Sequence, residues 1–267
     1  MSVITISRGS YSRGKEVAEK VAQRLKFECI SREILLEASE HFHINEIKLI
    51  RAIHDAPSVL NRFTHGKEKY VSYIRAAILE HVRKDNVVYH GLAGHFFLQN
   101  ISHVLKVRVT ADIEDRVKEE MERENISEDE ARYIIRKDDD ERRKWSLNLY
   151  GKDTWDSSLY DLVVHIKTKS VDNAVDLIIQ AAKFPCFQTT PESQRIVNDL
   201  ALAAEVKAVL VNVFPNSETS AKDGVVLVNI EAPIIQEEQI VNKIKSIIHE
   251  KVTGLTDVRV HVIPFTL

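Results

Sequence analysis

The amino-acid sequence predicts an α/β fold, in which a parallel β-sheet carries helices on both faces, followed by a smaller α+β region. Short apolar runs alternate with long amphipathic stretches along the 267 residues, and this alternation is typical of strand–helix–strand units. The chain has only 8 glycines and 6 prolines, too few for the many tight turns of an all-β sandwich. A hydrophobic share of 44% and a charged share of 29% are those of a globular protein.

Each predicted element of the first region follows from its local pattern. A β-branched run at 3–6 predicts a buried strand, and the helix predicted at 16–25 repeats apolar residues every four positions on one face. Three further apolar runs predict strands, at 87–89, 104–109 and 162–166. Because helical patterns separate these strands, we expect them to run parallel.

Two stretches between these strands depart from the alternation. Residues 40–84 contain several helical patterns but no clear strand, which predicts an inserted helical lobe. Residues 112–144 contain 14 acidic and 9 basic side chains. Spacings such as that of Glu119 and Arg123 predict ion pairs along solvated helices. An arginine-rich lid over a phosphate site would have the same composition, so both interpretations stay open.

A domain boundary is predicted where Pro185 and Pro191 bracket a short polar segment. The sequence is therefore divided into a first domain at 1–184, a linker at 185–191 and a small α+β domain at 192–267. Within the last domain, the patterns predict a helix, a strand, a second helix and a closing strand, at 192–210, 225–230, 236–251 and 258–262.

Charge and composition argue against several classes of partner and site. The 37 basic and 40 acidic residues leave a net charge of −3, which gives no general attraction to nucleic acid or to an anionic membrane. Cys29 and Cys186 lack CxxC spacing, so we expect two reduced, partly buried thiols. No histidine pair has a further ligand at metal-binding spacing, so no site held by protein ligands alone is predicted. The chain has no secretory signal pattern and no run of about 18 apolar residues, and we predict a cytoplasmic protein.

The strongest motif lies between the first strand and the first helix and fits GxxxxGK, the phosphate-binding loop. Glycines let the backbone curl so that several N–H groups face one anion, and the following helix N-terminus adds partial positive charge. A lysine at this spacing reaches the terminal phosphates. We therefore predict a nucleotide-phosphate site at Gly9, Ser10, Tyr11, Ser12, Arg13, Gly14, Lys15 and Glu16. The structural alternative is a glycine-containing helix start with a solvated lysine.

Glu16 stands where the motif has Ser or Thr, whose hydroxyl normally ligates Mg²⁺. A carboxylate can also ligate this ion, but it brings a second negative charge near the triphosphate. Magnesium is therefore expected to be held differently, or weakly.

Several segments together resemble the cytidylate kinase-like family of nucleoside monophosphate kinases, over about residues 1–184. In that family a basic residue followed by glutamate is common at positions 15 and 16, so Glu16 fits the family better than the general motif. The resemblance rests on Ile4-Thr5-Ile6-Ser7-Arg8 with the glycine-rich loop, and on the segments 86–94, 103–109, 127–132, 139–142 and 160–164.

This resemblance implies a three-layer P-loop kinase fold with five parallel strands, an inserted lobe that binds the monophosphate, and a lid that closes on ATP. It also implies ATP and Mg²⁺ as cofactors. Guanidinium groups suit a lid because they match the charge that spreads over the transferring phosphoryl oxygens. By the same resemblance, the catalytic residues are Lys15, Arg132, Arg136 and Arg142, and the substrate contacts are Arg8 and Asp139.

Three departures from the family pattern bear on activity. Leu92 stands where the family has an arginine after its third strand, and His90 stands where cytidylate kinases carry an aspartate. His165 replaces an asparagine after the last apolar run. Together these changes indicate either a different acceptor or a loss of catalysis.

The C-terminal region resembles a BON-like domain, a small α/β fold linked to binding of phospholipid or other ligands. The resemblance rests on the segments 190–193, 223–227 and 252–258, and the expected second glycine after Asn229 is absent. A dimerisation or regulatory appendage is the alternative, so lipid contact, small-ligand contact and homodimer formation all stay open.

Two function classes therefore fit the sequence. The first is an ATP-dependent nucleoside monophosphate kinase with CMP or dCMP as acceptor, which Lys15 and the lid arginines favour. The second is a catalytically weak or inactive nucleotide-binding sensor that acts through its C-terminal domain, which His90 and Leu92 favour. A kinase for another small acceptor is a third interpretation, because the helical lobe carries no motif that identifies the acceptor. No contact with nucleic acid or integral association with a membrane is predicted.

Overall fold

The computed structural model describes residues 2–9, 12–31, 33–42, 66–91 and 94–265. Within these ranges the helices and strands follow in the order β1 (Val3–Arg8), α1 (Gly14–Leu25), β2 (Glu28–Ile30), α2 (Glu33–His41), α3 (Gly66–Val82), β3 (Val87–His90), α4 (Gly94–Phe97), β4 (Val104–Ala111), α5 (Ile113–Glu124), α6 (Glu128–Tyr150), β5 (Leu162–Ile166), α7 (Val171–Ala182), α8 (Pro191–Leu210), β6 (Glu218–Lys222), β7 (Val225–Pro233), α9 (Glu237–Lys251) and β8 (Asp257–Phe265). Short 3-10 turns lie at Ser157–Leu159, Pro185–Phe187 and Ile234–Gln236.

The described residues group into two compact units. The first contains residues 2–33 and 84–190 as far as they are described, and the second contains residues 34–42, 66–83 and 191–265. The division falls after Thr190, inside the segment predicted as a linker. That residues from 192 onward fold on their own stays a prediction. Much of the predicted helical lobe, at 43–65, lies outside the described residues.

The first unit contains a five-stranded parallel sheet with the order β2-β3-β1-β4-β5, which confirms the predicted fold class. Strand β1 lies in the centre and pairs with both β3 and β4, in register from Val3. One face of the sheet is a fully apolar core with α1 and α7, built from residues such as Ile4, Leu105 and Ile178. Since β1 and β4 both end beside the start of α1, the carboxyl edge of the sheet carries the loop from Gly9 onward.

Two further helices follow β4 and coincide with the predicted lid segment. Helices α5 and α6 share a small core of their own, in which Val117, Ala131 and Ile135 are almost completely buried. Helix α6 starts with a capping box in which the Ser127 side chain accepts a hydrogen bond from the Glu130 backbone. The segment is therefore helical as predicted, and it is stabilised by apolar contacts as well as by charge pairs.

The second unit has a three-stranded sheet in the order β6-β7-β8. Strand β7 pairs antiparallel with β6 and parallel with β8, and its alternate residues Val226, Val228 and Ile230 face helices α8 and α9. The sequence analysis did not predict β6. It predicted partly buried cysteines as well, whereas both Cys29 and Cys186 are exposed, because each lies in a short segment at the protein surface.

Among the helices within the described ranges, none is long and apolar enough to cross a membrane.

Helices α3 and α8 pack against each other within the second unit. Tyr73 of α3 is 1% exposed, and its hydroxyl accepts a hydrogen bond from the Asn212 amide at 2.9 Å. A chain truncated after Lys183 would lose α8 and leave this apolar face of α3 uncovered. We therefore expect the truncated chain to unfold at a lower temperature than the full chain and to bind more of a hydrophobic dye.

The comparison is made by thermal unfolding of both chains at equal concentration. If the truncated chain instead keeps the Tm of the full chain and stays soluble, residues 1–183 fold independently, as the sequence-based boundary predicts.

Candidate functional site

The loop between β1 and α1 is tied to the neighbouring strand by backbone and side-chain hydrogen bonds. The Gly9 N–H donates to the Val109 carbonyl of β4 at 3.2 Å. The buried Ser12 hydroxyl lies 2.9 Å from the Gly9 carbonyl and 3.1 Å from that of Val109, and it can donate to either. These bonds fix the two ends of the loop on the carboxyl edge of the sheet, where P-loop nucleotide sites lie. Ser10 and Tyr11 lie outside the described residues.

Gly14 is the first residue of α1 and sits directly against Arg8, the last residue of β1. A β-carbon at Gly14 would lie 2.7 Å from the Arg8 β-carbon, closer than two such atoms can approach. Neither atom belongs to the flexible end of a side chain, so relief would require the backbone to move. The close return of the loop onto the strand therefore needs glycine at this position.

Arg13 precedes α1 with a φ of 55°, in the left-handed region that favours glycine. Its side chain donates to Glu119 of α5 at 3.2 Å, and both side chains are about half exposed. An ion pair of this exposure contributes only about 0.2–1 kcal/mol. The loop thus carries a backbone strain that the Arg13 side chain does little to offset.

We expect Arg13→Gly to be more stable than Arg13→Ala by about 1 kcal/mol, because both lose the ion pair but only glycine relieves the left-handed backbone. Chemical denaturation of the two variants measures the difference. If the two variants are equally stable, or if Arg13→Ala is the more stable one, the backbone at Arg13 is not strained.

Two arginines from the lid helices reach this loop. The guanidinium of Arg116 (α5) lies 3.7 Å from the point that a β-carbon on Gly9 would occupy. Arg142 of α6 donates to the Arg8 carbonyl at 3.2 Å. Asp139, one turn before Arg142, accepts from Arg116 at 2.7 Å, and the side chains of this pair are only 15% and 10% exposed. The pair holds the Arg116 guanidinium beside the loop.

Arg116 was missed in the sequence analysis, whereas Arg142 and Asp139 were among the predicted residues. Its position offers a signal, because it lies in the first turns of the helix that follows β4, and the carboxyl end of β4 meets the loop. A charged residue at such a point is a candidate for the site on topology alone.

The other two predicted lid arginines have different surroundings. Arg132 donates to both carboxylate oxygens of Glu114, at 3.0 and 2.6 Å, and to Glu128 at 2.8 Å. These bonds raise the pKa of Arg132 and join α5 to α6. Arg136 is exposed, and it has no hydrogen bond or ion pair within the part of the chain that the structure describes. Arg136 is thus available to a ligand, whereas Arg132 is engaged.

Lys15 and Glu16 point outward from the first turn of α1. The Lys15 ammonium lies 3.6 Å from Glu19, and Glu16 lies 3.2 Å from Lys20, each one helical turn away. All four side chains are at least a third exposed. Such pairs are weak and are easily exchanged for a stronger charged ligand.

A cavity of about 700 Å³ adjoins the loop on the side of β5. It lies between the start of α1, the outer face of α5 and the segment that joins β5 to α7, and its size is in the range of small-molecule sites. Among the described residues, six cationic side chains line it: Arg13, Lys20, Arg116, Lys118, Lys167 and Lys169. Five carboxylates share the lining, so the cavity is polar and only slightly positive.

The family model for the cytidylate kinase-like family matches residues 3–168, which are more than half of the chain and include the loop and both lid helices. The chain belongs to the cytidylate kinase-like family. A cytidylate kinase of Thermococcus kodakarensis is 36% identical over 104 residues, which are 39% of this chain and 52% of that protein. A cytidylate kinase of Sulfolobus acidocaldarius is 25% identical over 177 residues, which are 66% of this chain and 91% of that protein.

The chain thus spans about half of the length of the Thermococcus relative, and the C-terminal region lies beyond the matched family segment. Among solved structures, an uncharacterized protein from Eubacterium ventriosum is similar with a TM-score of 0.53 and 20% identity, covering 68% of this chain and 98% of that chain. A likeness at this identity concerns the fold alone.

His165, one of the departures from the cytidylate kinase-like pattern, joins β5 to the start of the lid. Its Nδ1 lies 3.0 Å from the Thr110 hydroxyl, and its Nε2 lies 3.0 Å from Asp112, the residue before α5. Lys167 also contacts Asp112, at 2.5 Å. Hydrogen bonds from Lys167 and then His165 lower the pKa of Asp112. The histidine therefore has a structural role at the lid's first residue. Leu92, another departure, lies outside the described residues.

A second polar cluster supports the carboxyl edge from the opposite face of the sheet. The Tyr160 hydroxyl donates to the Thr154 carbonyl at 3.0 Å and lies within 3.4 Å of Ser7 and His95. Arg108 donates to the same carbonyl and its guanidinium lies over the Tyr160 ring. Burial, followed by the charges of Arg108 and Lys106, lowers the pKa of His95 to about 3. His95 is therefore neutral at physiological pH and packs as part of the scaffold.

The residues around the loop suit a triphosphate. A helix N-terminus and the Arg116 and Arg142 guanidiniums provide donors and positive charge beside the loop, and the exposed Lys15 ammonium adds a cation in the first turn of α1. Within the described ranges, no cluster of three or more His, Cys, Asp or Glu side chains forms a metal site. Magnesium in nucleotide sites typically takes one or two carboxylates together with phosphate oxygens, and Glu16 is the carboxylate in the loop that fits this requirement.

Proposed function

We propose that the chain is an ATP-dependent nucleoside monophosphate kinase that transfers the γ-phosphoryl group of ATP to CMP or dCMP. The observation that carries this proposal is the convergence of Arg116 and Arg142, from both lid helices, on Arg8 and Gly9, where β1 ends and the loop begins. Membership of the cytidylate kinase-like family and the similarity to two cytidylate kinases support the reaction class.

In this proposal the loop from Gly9 to Glu16 holds the donor phosphates, and the 700 Å³ cavity beside it takes the nucleoside of ATP. Lys15 exchanges its contact with Glu19 for the terminal phosphates. Mg²⁺ supplies charge neutralisation at the phosphate oxygens when it is bound, with Glu16 as its protein contact. Arg8 is proposed as an acceptor contact because its side chain leaves β1 at the base of the loop.

The lid arginines are proposed to stabilise the charge that develops on the transferring group. Arg142 and Arg116 already lie on the loop, and Arg136 is free to join them. Asp139 is proposed to act by orienting Arg116, with which it shares a largely buried ion pair. Arg132 would reach the phosphates only if its bonds to Glu114 opened. Closure of α5 and α6 over the loop would exclude water from the reaction.

A second candidate function is a nucleotide-binding sensor with little or no turnover. The engagement of Arg132 by Glu114 and Glu128 favours it, because one of the predicted catalytic guanidiniums is then occupied. In this interpretation, the C-terminal region would transmit nucleotide occupancy. We keep the BON-like resemblance of that region as a proposal, with lipid contact, small-ligand contact or dimerisation as its expected roles.

A coupled assay of ADP release separates the two candidates. The full chain is incubated with ATP and each common nucleoside monophosphate, in the presence of Mg²⁺ or Mn²⁺. The kinase proposal predicts release that depends on the acceptor, with CMP or dCMP fastest. ATP binding without acceptor-dependent release favours the sensor. If the chain neither binds ATP nor releases ADP, both candidate functions are contradicted.

A further inference from the structure

A cavity of about 980 Å³ lies in the second unit. Helices α2, α3 and α8 form its walls, together with the turn between β6 and β7 and the segment after α9. Its floor is apolar and consists of the small residues Ala38, Ala76 and Ala201 together with Leu202, each at most 8% exposed. A cavity of this size with an apolar floor is typical of small-molecule sites.

The rim of this cavity is acidic. Among the described residues that line it, two are arginines and six are carboxylates: Glu37, Glu40, Glu80, Asp199, Glu205 and Asp223. Two of the carboxylates have partners, since Glu37 lies 2.5 Å from His81 and Glu80 lies 3.0 Å from Arg83. The rim therefore carries a surplus of negative charge around a cavity with an apolar floor.

Glu205 of α8 stands out among these carboxylates. It is half-buried, and within the described ranges it has neither a hydrogen bond nor an ion pair. Burial raises its pKa, the charge of Glu80 raises it further, and His41 and Arg83 oppose the shift only in part. A carboxylate that has lost water without gaining a partner is unfavourable in its charged form. A cation placed in the cavity would remove this cost.

We propose that this cavity binds an organic cation, in which an ammonium or guanidinium group is carried by an apolar body, with Glu205 as the counter-ion. The apolar body would contact Leu202 and the alanines of the floor, while the cationic group would lie at the rim. Anionic ligands, nucleotides included, would meet the surplus negative charge. The proposal does not rest on the kinase activity, and it assigns a cationic ligand to the second unit, which includes part of the predicted helical lobe.

Calorimetric titration of the full chain with phenethylamine tests this proposal, with 2-phenylethanol and 3-phenylpropionate as neutral and anionic probes of similar shape. We expect saturable binding of the amine and at least tenfold weaker binding of the other two. Glu205→Gln should weaken binding of the amine at least tenfold. Glu250→Gln, an equal change at an exposed position of α9 outside the cavity, should leave it unchanged. Equal binding of amine and alcohol, no binding of the amine, or an unaffected Glu205→Gln variant would overturn the proposal.

Thermal unfolding provides a second readout that needs no ligand. A carboxyl whose pKa is higher in the folded than in the unfolded chain stabilises the fold below that pKa and loses this contribution as the pH rises through it. Glu205→Gln should therefore raise the Tm at pH 7 and leave it nearly unchanged at pH 4. A lower Tm of the variant at pH 7 would mean that the Glu205 carboxylate already has a favourable partner, and the cavity would then lack the charge that the proposal requires.

Discussion

Replacement of Lys15 by alanine should weaken the binding of ATP by about 1.5–3 kcal/mol, which corresponds to about 10- to 150-fold in affinity. The Lys15 ammonium, beside a helix N-terminus, can form charge-assisted hydrogen bonds with phosphate oxygens. Its ion pair with Glu19 is exposed and contributes little free energy. The stability of the fold should barely change, because the side chain is 63% exposed. Calorimetric titration with a non-hydrolysable ATP analogue measures the affinity.

The matched control is Lys183→Ala, which removes the same charge from an exposed position at the carboxyl-terminal end of α7. It should bind the analogue as the unchanged chain does. If Lys15→Ala and Lys183→Ala bind equally well, the lysine of the GxxxxGK motif is merely solvated, and the structural alternative for the motif is correct.

The second large effect is expected from Asp139→Asn, which should lower the free energy of unfolding by about 3 kcal/mol. The substitution removes the Asp139 charge from beside the Arg116 guanidinium, whose side chain is only 10% exposed. Because the same guanidinium lies beside Gly9, we also expect weaker binding of the ATP analogue. Urea denaturation gives the stability, and calorimetry gives the affinity.

Asp140→Asn makes the same chemical change one residue further along α6, on the exposed side of the helix. It should alter stability by no more than about 0.5 kcal/mol. A double substitution that replaces both Arg116 and Asp139 by apolar residues should recover part of the stability but not the binding, since a buried pair is costly to break and less costly to replace. Equal stability of the Asp139→Asn and Asp140→Asn variants would mean that the pair does not form.

The fold was largely predictable from the sequence because its central strands are apolar runs with helical patterns between them. β1, β3, β4 and β5 were all predicted for this reason, and their parallel pairing confirms the alternation rule. β2 was not predicted, because two of its three residues, Glu28 and Cys29, are exposed at the edge of the sheet. β6 has the polar sequence Glu-Thr-Ser-Ala-Lys, and it is a strand because it pairs with β7. Tertiary contacts decide whether such polar segments form strands.

Only the part of the site that is formed by neighbouring residues in the sequence could be predicted. The loop and its lysine form a continuous motif, and Gly14 has the close contact that the motif requires. The predicted ion pair of Glu119 with Arg123, based on helical spacing, was wrong. Glu119 pairs with Arg13 of the loop. Arg123 pairs with Glu120 and Glu124 instead. Spacing along one helix cannot reveal a charge that arrives from another element. The same limit applies to Arg116 and to the cavity of the second unit.

In the proposed function, this loop and the lid arginines support transfer of a phosphoryl group from ATP to CMP or dCMP. The most direct measurement follows label from [γ-³²P]ATP after incubation of the full chain with CMP and Mg²⁺, with the Lys15→Ala variant in parallel. We expect labelled CDP together with an equal amount of unlabelled ADP, and a rate at least tenfold lower for the variant. Label that remains in ATP, or appears only as inorganic phosphate while CMP is unchanged, would contradict it.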